Sequence, residues 1–516
     1  MTLAAAVFTF GGRRRALTGW IALALVAVAL GASASSGQAD AASALSAPEH
    51  ATAPAPAHGT KPAHAVTVPS VWSTLPFVAL LLAIALFPLI PHTAHWWEKN
   101  RTKLVVAISL AAITGFYYLM RREGFHAPHH DLPHGWPSLE AVLWDAIAIE
   151  YVPFIVLLFS LFTISGGINL RGDLPAHPLT NTAFLACGAV LASFIGTTGA
   201  AMLLIRPLLQ VNSERRHTVH TVLFFIFLVA NIGGSLLPIG DPPLFLGYLQ
   251  GVPFLWTLNL WKPWLFCVVI LLAVYYVWDT LAYRHETARD IYVDETRREP
   301  LKILGGINVL FLAGVVLAVA LLDPSKPIPG TSWKPFPYMR ELVQLALAGL
   351  SWRFTSRAVR EANKFNFHAI AEVAALFLGI FITMQAPVEI LRLQGHELGL
   401  TQPWQFFWAT GALSSVLDNA PTYVVFFSTA CSLDQGTSLL KVSLGQIDES
   451  LLVAISCGAV FMGANTYIGN GPNFMVKSIA EQSGVKMPSF FGYMLISGLV
   501  LIPLFALVTL LFFAPR

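Results

Sequence analysis

Apolar segments long enough to cross a lipid bilayer recur along the 516-residue chain. A transmembrane helix needs about 20 mainly apolar residues. We predict ten spans, at residues 73–92, 103–120, 141–166, 218–249, 262–283, 301–322, 338–352, 366–390, 446–478 and 489–513. Only 11% of the residues are charged and 55% are hydrophobic, which is too apolar for a soluble domain of this size. The sequence therefore predicts an all-α polytopic membrane protein.

The N-terminal region has the pattern of a targeting segment followed by a linker. Three arginines precede a short apolar run and a stretch of small residues, so residues 1–39 are expected to be a signal peptide or an N-terminal anchor. Residues 40–70 are rich in Ala, Pro and His and are expected to be a disordered linker outside the membrane. Most of the remaining lysines and arginines then fall in loops on the cytoplasmic side, which predicts a multi-pass protein of the bacterial inner membrane.

Two further apolar stretches, 183–210 and 403–428, are interrupted at their centres by IGTTGA (195–200) and LDNAPT (417–422). Such residues favour turns, and a turn in the middle of a crossing helix would leave backbone groups unpaired in lipid. We therefore interpret both stretches as re-entrant hairpins.

The chain also contains an internal repeat. At a shift of 222 positions (413 − 191), LASFIGTTGAAML lies over LSSVLDNAPTYVV, and Glu150, early in its span, lies over Glu372. Each repeat, 73–283 and 301–513, is then five spans with one hairpin and one broken helix, and residues 284–300 form a charged cytoplasmic loop between them. Because five is odd, the second repeat is inverted relative to the first. Inverted repeats with interrupted helices are typical of secondary transporters.

The candidate binding residues all lie in four polar breaks of the apolar segments, which in chain order are residues 195–201, 231–243, 418–422 and 465–473. Asp418 is the expected principal carboxylate and Asp241 the second, because a carboxylate deep in a membrane usually marks an ion or proton path. Either could instead cap a half-helix. Asp418 and Asn419 are candidate ligands of a Na⁺ site. The neutral candidates, whose oxygens suit Na⁺ and whose donors suit a carboxylate, are Asn231, Thr197, Thr198, Asn419, Thr422, Asn465, Thr466, Asn470 and Asn473.

Several other classes of protein lack support in the sequence. No phosphate-binding glycine loop stands in a strand–turn–helix context, and no basic patch for nucleic acid is apparent. The polar residues of the breaks show no nucleophile–base pair, so no enzyme activity and no cofactor are expected. The breaks also lack Lys and Arg, with Arg206 nearby on the second arm of the first hairpin, which favours a cation over an anion as the ligand.

From about residue 73 to 513 the chain resembles the ion transporter superfamily, and especially its sodium/proton antiporters and citrate transporters. The similar motifs are DNAPT at 418–422, GDPP at 240–243 and NTYIGN at 465–470. The resemblance implies an inverted-repeat fold with a scaffold part and a transport part, commonly in a homodimer that moves by an elevator-like displacement. The dicarboxylate members carry Ser-Asn-Thr in each hairpin, whereas this chain has Gly-Thr-Thr at 196–198 and Asp-Asn-Ala at 418–420.

These observations predict a secondary transporter that exchanges Na⁺ or a similar cation for H⁺. One carboxylate that accepts either a metal ion or protons is sufficient for such an exchange. The alternative is a Na⁺-coupled carrier of citrate or another di- or tricarboxylate, in which the Asn and Thr side chains of the breaks hold the substrate. The expected partners are thus the lipid bilayer, a small cation or carboxylate, and a second copy of the chain.

Overall fold

The computed structural model describes residues 68–514, apart from 89, 123, 128–129, 133, 297–298, 434–435 and 437. The expected signal peptide or anchor at 1–39, and the linker at 40–70 up to residue 67, lie outside the described residues. The described chain is mostly helical, with three short antiparallel ribbons.

The helices follow one another through the chain as short and long segments. The helices before residue 284 are α1 (Leu75–Leu86), α2 (Pro91–Trp97), α3 (Asn100–Met120), α4 (Trp136–Leu143), α5 (Val152–Ser165), α6 (Pro178–Ile195), α7 (Thr197–Val211), α8 (Val219–Leu228), α9 (Pro242–Leu249) and α10 (Trp261–Tyr283). Those after it are α11 (Ala288–Thr296), α12 (Ile307–Leu321), α13 (Met339–Phe354), α14 (Arg357–Ala362), α15 (His368–Thr383), α16 (Gln385–Gln394), α17 (Pro403–Ser414), α18 (Asn419–Cys431), α19 (Glu449–Met462), α20 (Gly471–Gln482) and α21 (Phe490–Val508).

Several of these helices are extended by 3₁₀-helical or π-helical segments. The 3₁₀ turns are Val71–Thr74, Ile232–Ser235, Phe254–Leu260, Gly395–Leu398 and Gly463–Asn465. Two segments, Trp144–Tyr151 and Thr509–Phe513, are π-helical.

Several helical segments have the length and apolarity of membrane spans. Within the described residues, five helical segments are long and apolar enough to cross a membrane: Asn100–Met120, Trp136–Ser165, Pro178–Ile195, Phe254–Tyr283 and Phe490–Phe513. Helices α15 and α16, which meet at an angle of 41°, make a sixth if they count as one span. Five shorter apolar helices complete the set: Val71–Leu86, Thr197–Val211, Val219–Ser235, Ile307–Leu321 and Glu449–Asn465.

The ribbons are features that the sequence analysis did not predict. They pair β1 (Phe125–Ala127) with β2 (His130–Leu132), β3 (Asn169–Asp173) with β4 (Glu299–Leu304), and β5 (Leu439–Val442) with β6 (Gly445–Asp448). Strand β4 occupies the first residues of the span expected at 301–322, so that helix starts only at Ile307. The loop expected at 284–300 contains α11.

The third span also differs from its expected bounds. Its helical segment starts at Trp136 rather than at 141 and continues to Ser165. Glu150 therefore lies near the middle of this segment, within its π-helical turn, and not early in the span as the sequence suggested.

Helix packing brings the expected breaks together in the interior. Helix α9 packs against α18, and α7 packs against α20, so the half-helices of each half of the chain contact those of the other half. Helix α17 packs on α19, and α6 packs on α7 and on the 3₁₀ turn at 232–235. The ends of the interrupted helices consequently meet within one buried region.

Candidate functional site

The first break is a single residue between α6 and α7. Gly196 has φ +79° and ψ 148°, a conformation that is essentially restricted to glycine. Here the chain leaves α6 and enters α7 at Thr197, whose backbone N–H donates to the carbonyl of Gly240 at 2.8 Å. This hydrogen bond joins the first break to the second.

The second break places Asp241 at the start of α9. The two residues that follow, Pro242 and Pro243, have no backbone N–H to donate to a capping side chain. Accordingly the Asp241 side chain makes no capping hydrogen bond, although it occupies the N-cap position. The carboxylate is 1% exposed and is available for contacts outside its own helix.

Asp241 receives one side chain from each of the other three breaks. Thr197 Oγ1 donates to Oδ1 at 2.8 Å, and Asn470 Nδ2 donates to the same oxygen at 3.1 Å. Asn419 Nδ2 donates to Oδ2 at 2.6 Å. All three donors are buried. The four breaks therefore converge on one carboxylate, which we call the Asp241 cluster: Thr197, Asp241, Asn419 and Asn470.

An asparagine network extends this cluster. Asn231 Nδ2 donates to Asn473 Oδ1 at 2.7 Å and to the carbonyl of Ile226 at 2.8 Å. Asn473 Nδ2 in turn donates to the carbonyls of Gly463 and Thr466, at 2.8 and 2.9 Å. These amides satisfy backbone carbonyls that the interrupted helices leave without helical partners. They hold the second and fourth breaks in fixed relative positions.

Asp418, by contrast, has the geometry of a helix cap. Its Oδ1 accepts from the backbone N–H of Ala420 at 3.1 Å, and it is the N-cap of α18. Thr422 Oγ1 donates to the backbone carbonyl of Asp418 at 3.0 Å. Asp418 is half-buried. Its carboxylate accepts fewer hydrogen bonds from side chains than the carboxylate of Asp241 does.

Asn465 and Thr466 contact the second hairpin through a residue that the sequence analysis did not single out. Asn465 Nδ2 donates to Ser415 Oγ at 2.9 Å, and Thr466 Oγ1 donates to the Ser415 carbonyl at 2.6 Å. The polar Ser-Ser pair that precedes the Asp-Asn-Ala-Pro break is the sequence feature from which this contact could have been suspected. Thr198 is half-buried, and its hydroxyl makes no hydrogen bond to another described residue.

Two side-chain oxygens in the breaks are buried without a hydrogen-bond partner among the described residues. They are Oδ1 of Asn419 and Oδ1 of Asn465. The orientation of the Asn419 amide follows from its contact, because an ionised Asp241 can only accept and so requires the Nδ2 group. Both free atoms are therefore acceptors, which is the chemistry that a cation requires.

Other features lie outside this cluster. Within the described residues, no three His, Cys, Asp or Glu side chains come together as metal ligands, so a cation at this cluster would combine the Asp241 carboxylate with amide, hydroxyl and carbonyl oxygens. A mostly apolar cavity of about 450 Å³ lies between α1 and α3, lined by residues that include Trp72, Pro76 and Tyr117. None of the cluster residues lines it.

Comparisons with known proteins agree with a transporter. One family model, described as "Putative citrate transport", matches residues 66–513. No curated protein gives a significant match. The matched region covers most of the chain and contains all four breaks, and the helices of spanning length make this a multi-pass membrane protein. The chain therefore belongs to this citrate transport family.

Proposed function

We propose that the protein is a secondary active transporter that exchanges Na⁺ or a similar small cation for H⁺. The observation that carries this proposal is the Asp241 cluster, in which one buried carboxylate contacts all three other breaks. A carboxylate buried in a membrane protein is costly, and one that is nevertheless present is by default a candidate functional group.

The unpaired atoms of the breaks favour a cation as the ligand. The donors of Thr197, Asn419 and Asn470 are already directed at Asp241, and the fully buried atoms of the breaks without a hydrogen-bond partner among the described residues are acceptors, on Asn419 and Asn465. A carboxylate substrate would need free donors instead. An ionised carboxylate has about four acceptor positions, of which three are occupied here, so one remains for a cation or a proton.

In this proposal the principal carboxylate is Asp241 and not Asp418. We assign the exchanging carboxylate to Asp241, whose side chain makes no capping hydrogen bond to α9. Asp418 supports the site by starting α18 and thereby placing Asn419. Binding of Na⁺ and of H⁺ to the same carboxylate would be mutually exclusive, and that competition couples the two fluxes.

The membrane arrangement that we propose has two inverted repeats of five spans. The support is the matching order of elements, since the pair α6–α7 and broken α8–α9 are followed 222 to 234 positions later by α17–α18 and broken α19–α20. In this proposal both helix pairs are re-entrant hairpins that enter from opposite faces. The protein would lie in a bacterial inner membrane, as a homodimer in contact with lipid.

Na⁺-coupled transport of citrate or another di- or tricarboxylate is the second candidate. The family description favours it. In addition, Nη1 of Arg206, on α7, is buried without a hydrogen-bond partner among the described residues, so one guanidinium donor is free for an anion. In that case the Asp241 cluster would hold the coupling Na⁺.

The test is ²²Na⁺ uptake into proteoliposomes, driven by an outward proton gradient, in the wild type and three variants. We expect D241N to abolish exchange and D418N to reduce it. D448N is the matched control, because Asp448 starts α19 and accepts from the N–H of Ser450 at 2.8 Å, as Asp418 does in α18. Exchange by D241N at the wild-type rate would refute the assignment of the carboxylate.

A further inference from the structure

Helix α9 connects the Asp241 cluster to a second group of polar contacts. Asp241 precedes this eight-residue helix and Gln250 follows it. At a rise of 1.5 Å per residue, the helix is about 12 Å long. Whatever holds Gln250 therefore acts on the position of the Asp241 carboxylate through one short, rigid element.

Glu150 holds Gln250 and a residue of another helix at the same time. Gln250 Nε2 donates to Glu150 Oε1 at 2.8 Å, and Gln385 Nε2 donates to Oε2 at 3.0 Å. Gln385 starts α16, directly after the 41° bend. Glu150 itself lies in the π-helical turn before α5, and such turns occur frequently at functional sites.

A second contact joins the same end of α9 to two other helices. The hydroxyl of Tyr248 donates to the carbonyl of Val319, in α12, at 2.8 Å. Arg340 Nη1, in α13, donates to that hydroxyl at 3.2 Å, and its guanidinium lies 5.4 Å from the centre of the Tyr248 ring. The C-terminal end of α9 is thus attached to α12, α13, α16 and the π-helical turn.

The repeat-related glutamate makes a different kind of contact. Glu372, which the repeat places over Glu150, forms an ion pair with Lys103, at 2.5 Å, and so joins α15 to α3. Glu389 of α16 likewise pairs with Arg121. Glu150 instead accepts from two neutral amides. Hydrogen bonds of a carboxylate to neutral donors are weaker than its bonds to charged donors, so this contact is the easier one to break.

The charged groups around Glu150 do not supply it with a counter-ion. Asp145 lies in the same π-helical turn and is acidic. The nearby guanidinium of Arg340 is paired with Glu341, its Nε donating to Oε1 at 2.8 Å. Tyr338 donates to the carbonyl of Ala148. Among the described residues, the hydrogen bonds of the Glu150 carboxylate are therefore those to the two glutamine amides.

We propose that Glu150 is a releasable latch that holds α9, and with it Asp241, against α16 and the π-helical turn in one state of the transport cycle. This inference rests on the proposed function, because only a transporter needs to release this contact. Helices α3, α15 and α16, joined by ion pairs, form the part that α9 leaves. Glu150 is accordingly a positioning residue and does not contact the transported ion.

Reversible cross-linking tests the latch. In a parent without the four native cysteines, cysteines replace Glu150 and Gln250 and are bridged by a short, reducible bis-methanethiosulfonate. We expect the bridge to lower transport at least tenfold, and reduction of the bridge to restore the initial rate. The control pair, K103C with E372C, joins α3 to α15, and its bridge should leave the rate within twofold.

The outcomes separate the latch from the proposed function. A wild-type protein that moves neither cations nor citrate refutes the proposed function and the latch with it. A parent that transports, together with a 150–250 bridge that leaves the rate within twofold, refutes the latch alone. If the 150–250 variant does not fold, the pair Q250C with Q385C, whose native amides bond to the two oxygens of the Glu150 carboxylate, decides by the same criterion.

A kinetic comparison distinguishes a latch from a purely structural contact. We expect E150A to change the maximal transport rate at least threefold while the half-saturating cation concentration stays within twofold, with E150Q, which keeps one acceptor oxygen, intermediate. A structural role would lower the yield of folded protein and leave the rate per folded molecule unchanged. That second result would contradict the proposal.

Discussion

The substitution D241N should weaken cation binding while leaving the fold intact. The new amide can keep an oxygen towards Thr197 and Asn470, and Asn419 can turn its own amide so that its unpartnered Oδ1 accepts the new N–H. The network stays paired, but the site loses its negative charge and its free acceptor. A hydrogen bond or contact to a charged group contributes about 1.5–3 kcal/mol, which corresponds to roughly a 10- to 150-fold loss of cation affinity.

Thermal unfolding of the detergent-solubilised protein measures this affinity without a transport assay. A cation that binds only the folded state stabilises it by about 2.7 kcal/mol at 100 times its dissociation constant. The wild type should therefore show a midpoint that rises with Na⁺ at constant ionic strength, and D241N should need at least tenfold more Na⁺. D448N, at the opposite end of α19 from the fourth break, controls for the loss of one acidic group. A D241N curve within threefold of the wild type would contradict the role of Asp241 as a cation ligand.

Three further substitutions have separate expected outcomes. G196A forces a Cβ into a conformation reserved for glycine and should lower the free energy of unfolding by about 1–3 kcal/mol in chemical denaturation. N473A removes the 2.7 Å hydrogen bond from Asn231 and leaves buried carbonyls unpaired, so a loss of about 1–3 kcal/mol and a lower melting temperature are expected. D279A leaves the buried Arg215 without its partner at 2.6 Å, which should cost about 3–5 kcal/mol of stability while the half-saturating Na⁺ concentration of the folded fraction stays within twofold. An unchanged melting temperature in any of the three would contradict the structural role assigned to that residue.

The local breaks were predictable from the sequence because their causes are local. Glycine, proline and asparagine interrupt helices wherever they cluster, and the interruption at Gly196 needs no tertiary information. The repeat also allowed the breaks to be matched to one another in pairs. The convergence of their side chains on Asp241 required the packing of α9 on α18 and of α7 on α20, which no sequence periodicity specifies.

The two carboxylates, Asp241 and Asp418, differ in the residues that follow them. Two prolines after Asp241 remove the N–H groups of the first two helical residues, whereas Ala420, the second helical residue after Asp418, keeps the N–H that bonds to the Asp418 side chain. This difference is visible in the sequence and indicates that Asp418 caps its helix and Asp241 does not.

The contacts of Glu150 could not be predicted in the same way. Its partners, Gln250 and Gln385, are 100 and 235 positions away, and amide side chains give no charge pattern to follow. The predicted start of this span, residue 141, is also five residues later than the observed start at Trp136. Glu150 was therefore expected early in the span, whereas it lies near the middle.

Cation–proton exchange is tested most directly with a pH-sensitive dye inside proteoliposomes. Na⁺, Li⁺, K⁺ and citrate are added outside in turn, with the membrane potential clamped at zero. We expect Na⁺ or another small cation alone to make the lumen alkaline, because protons leave as the cation enters, and we expect no such signal from the D241N protein. No pH change with any cation, together with citrate uptake that requires Na⁺, would contradict antiport and establish the second candidate function.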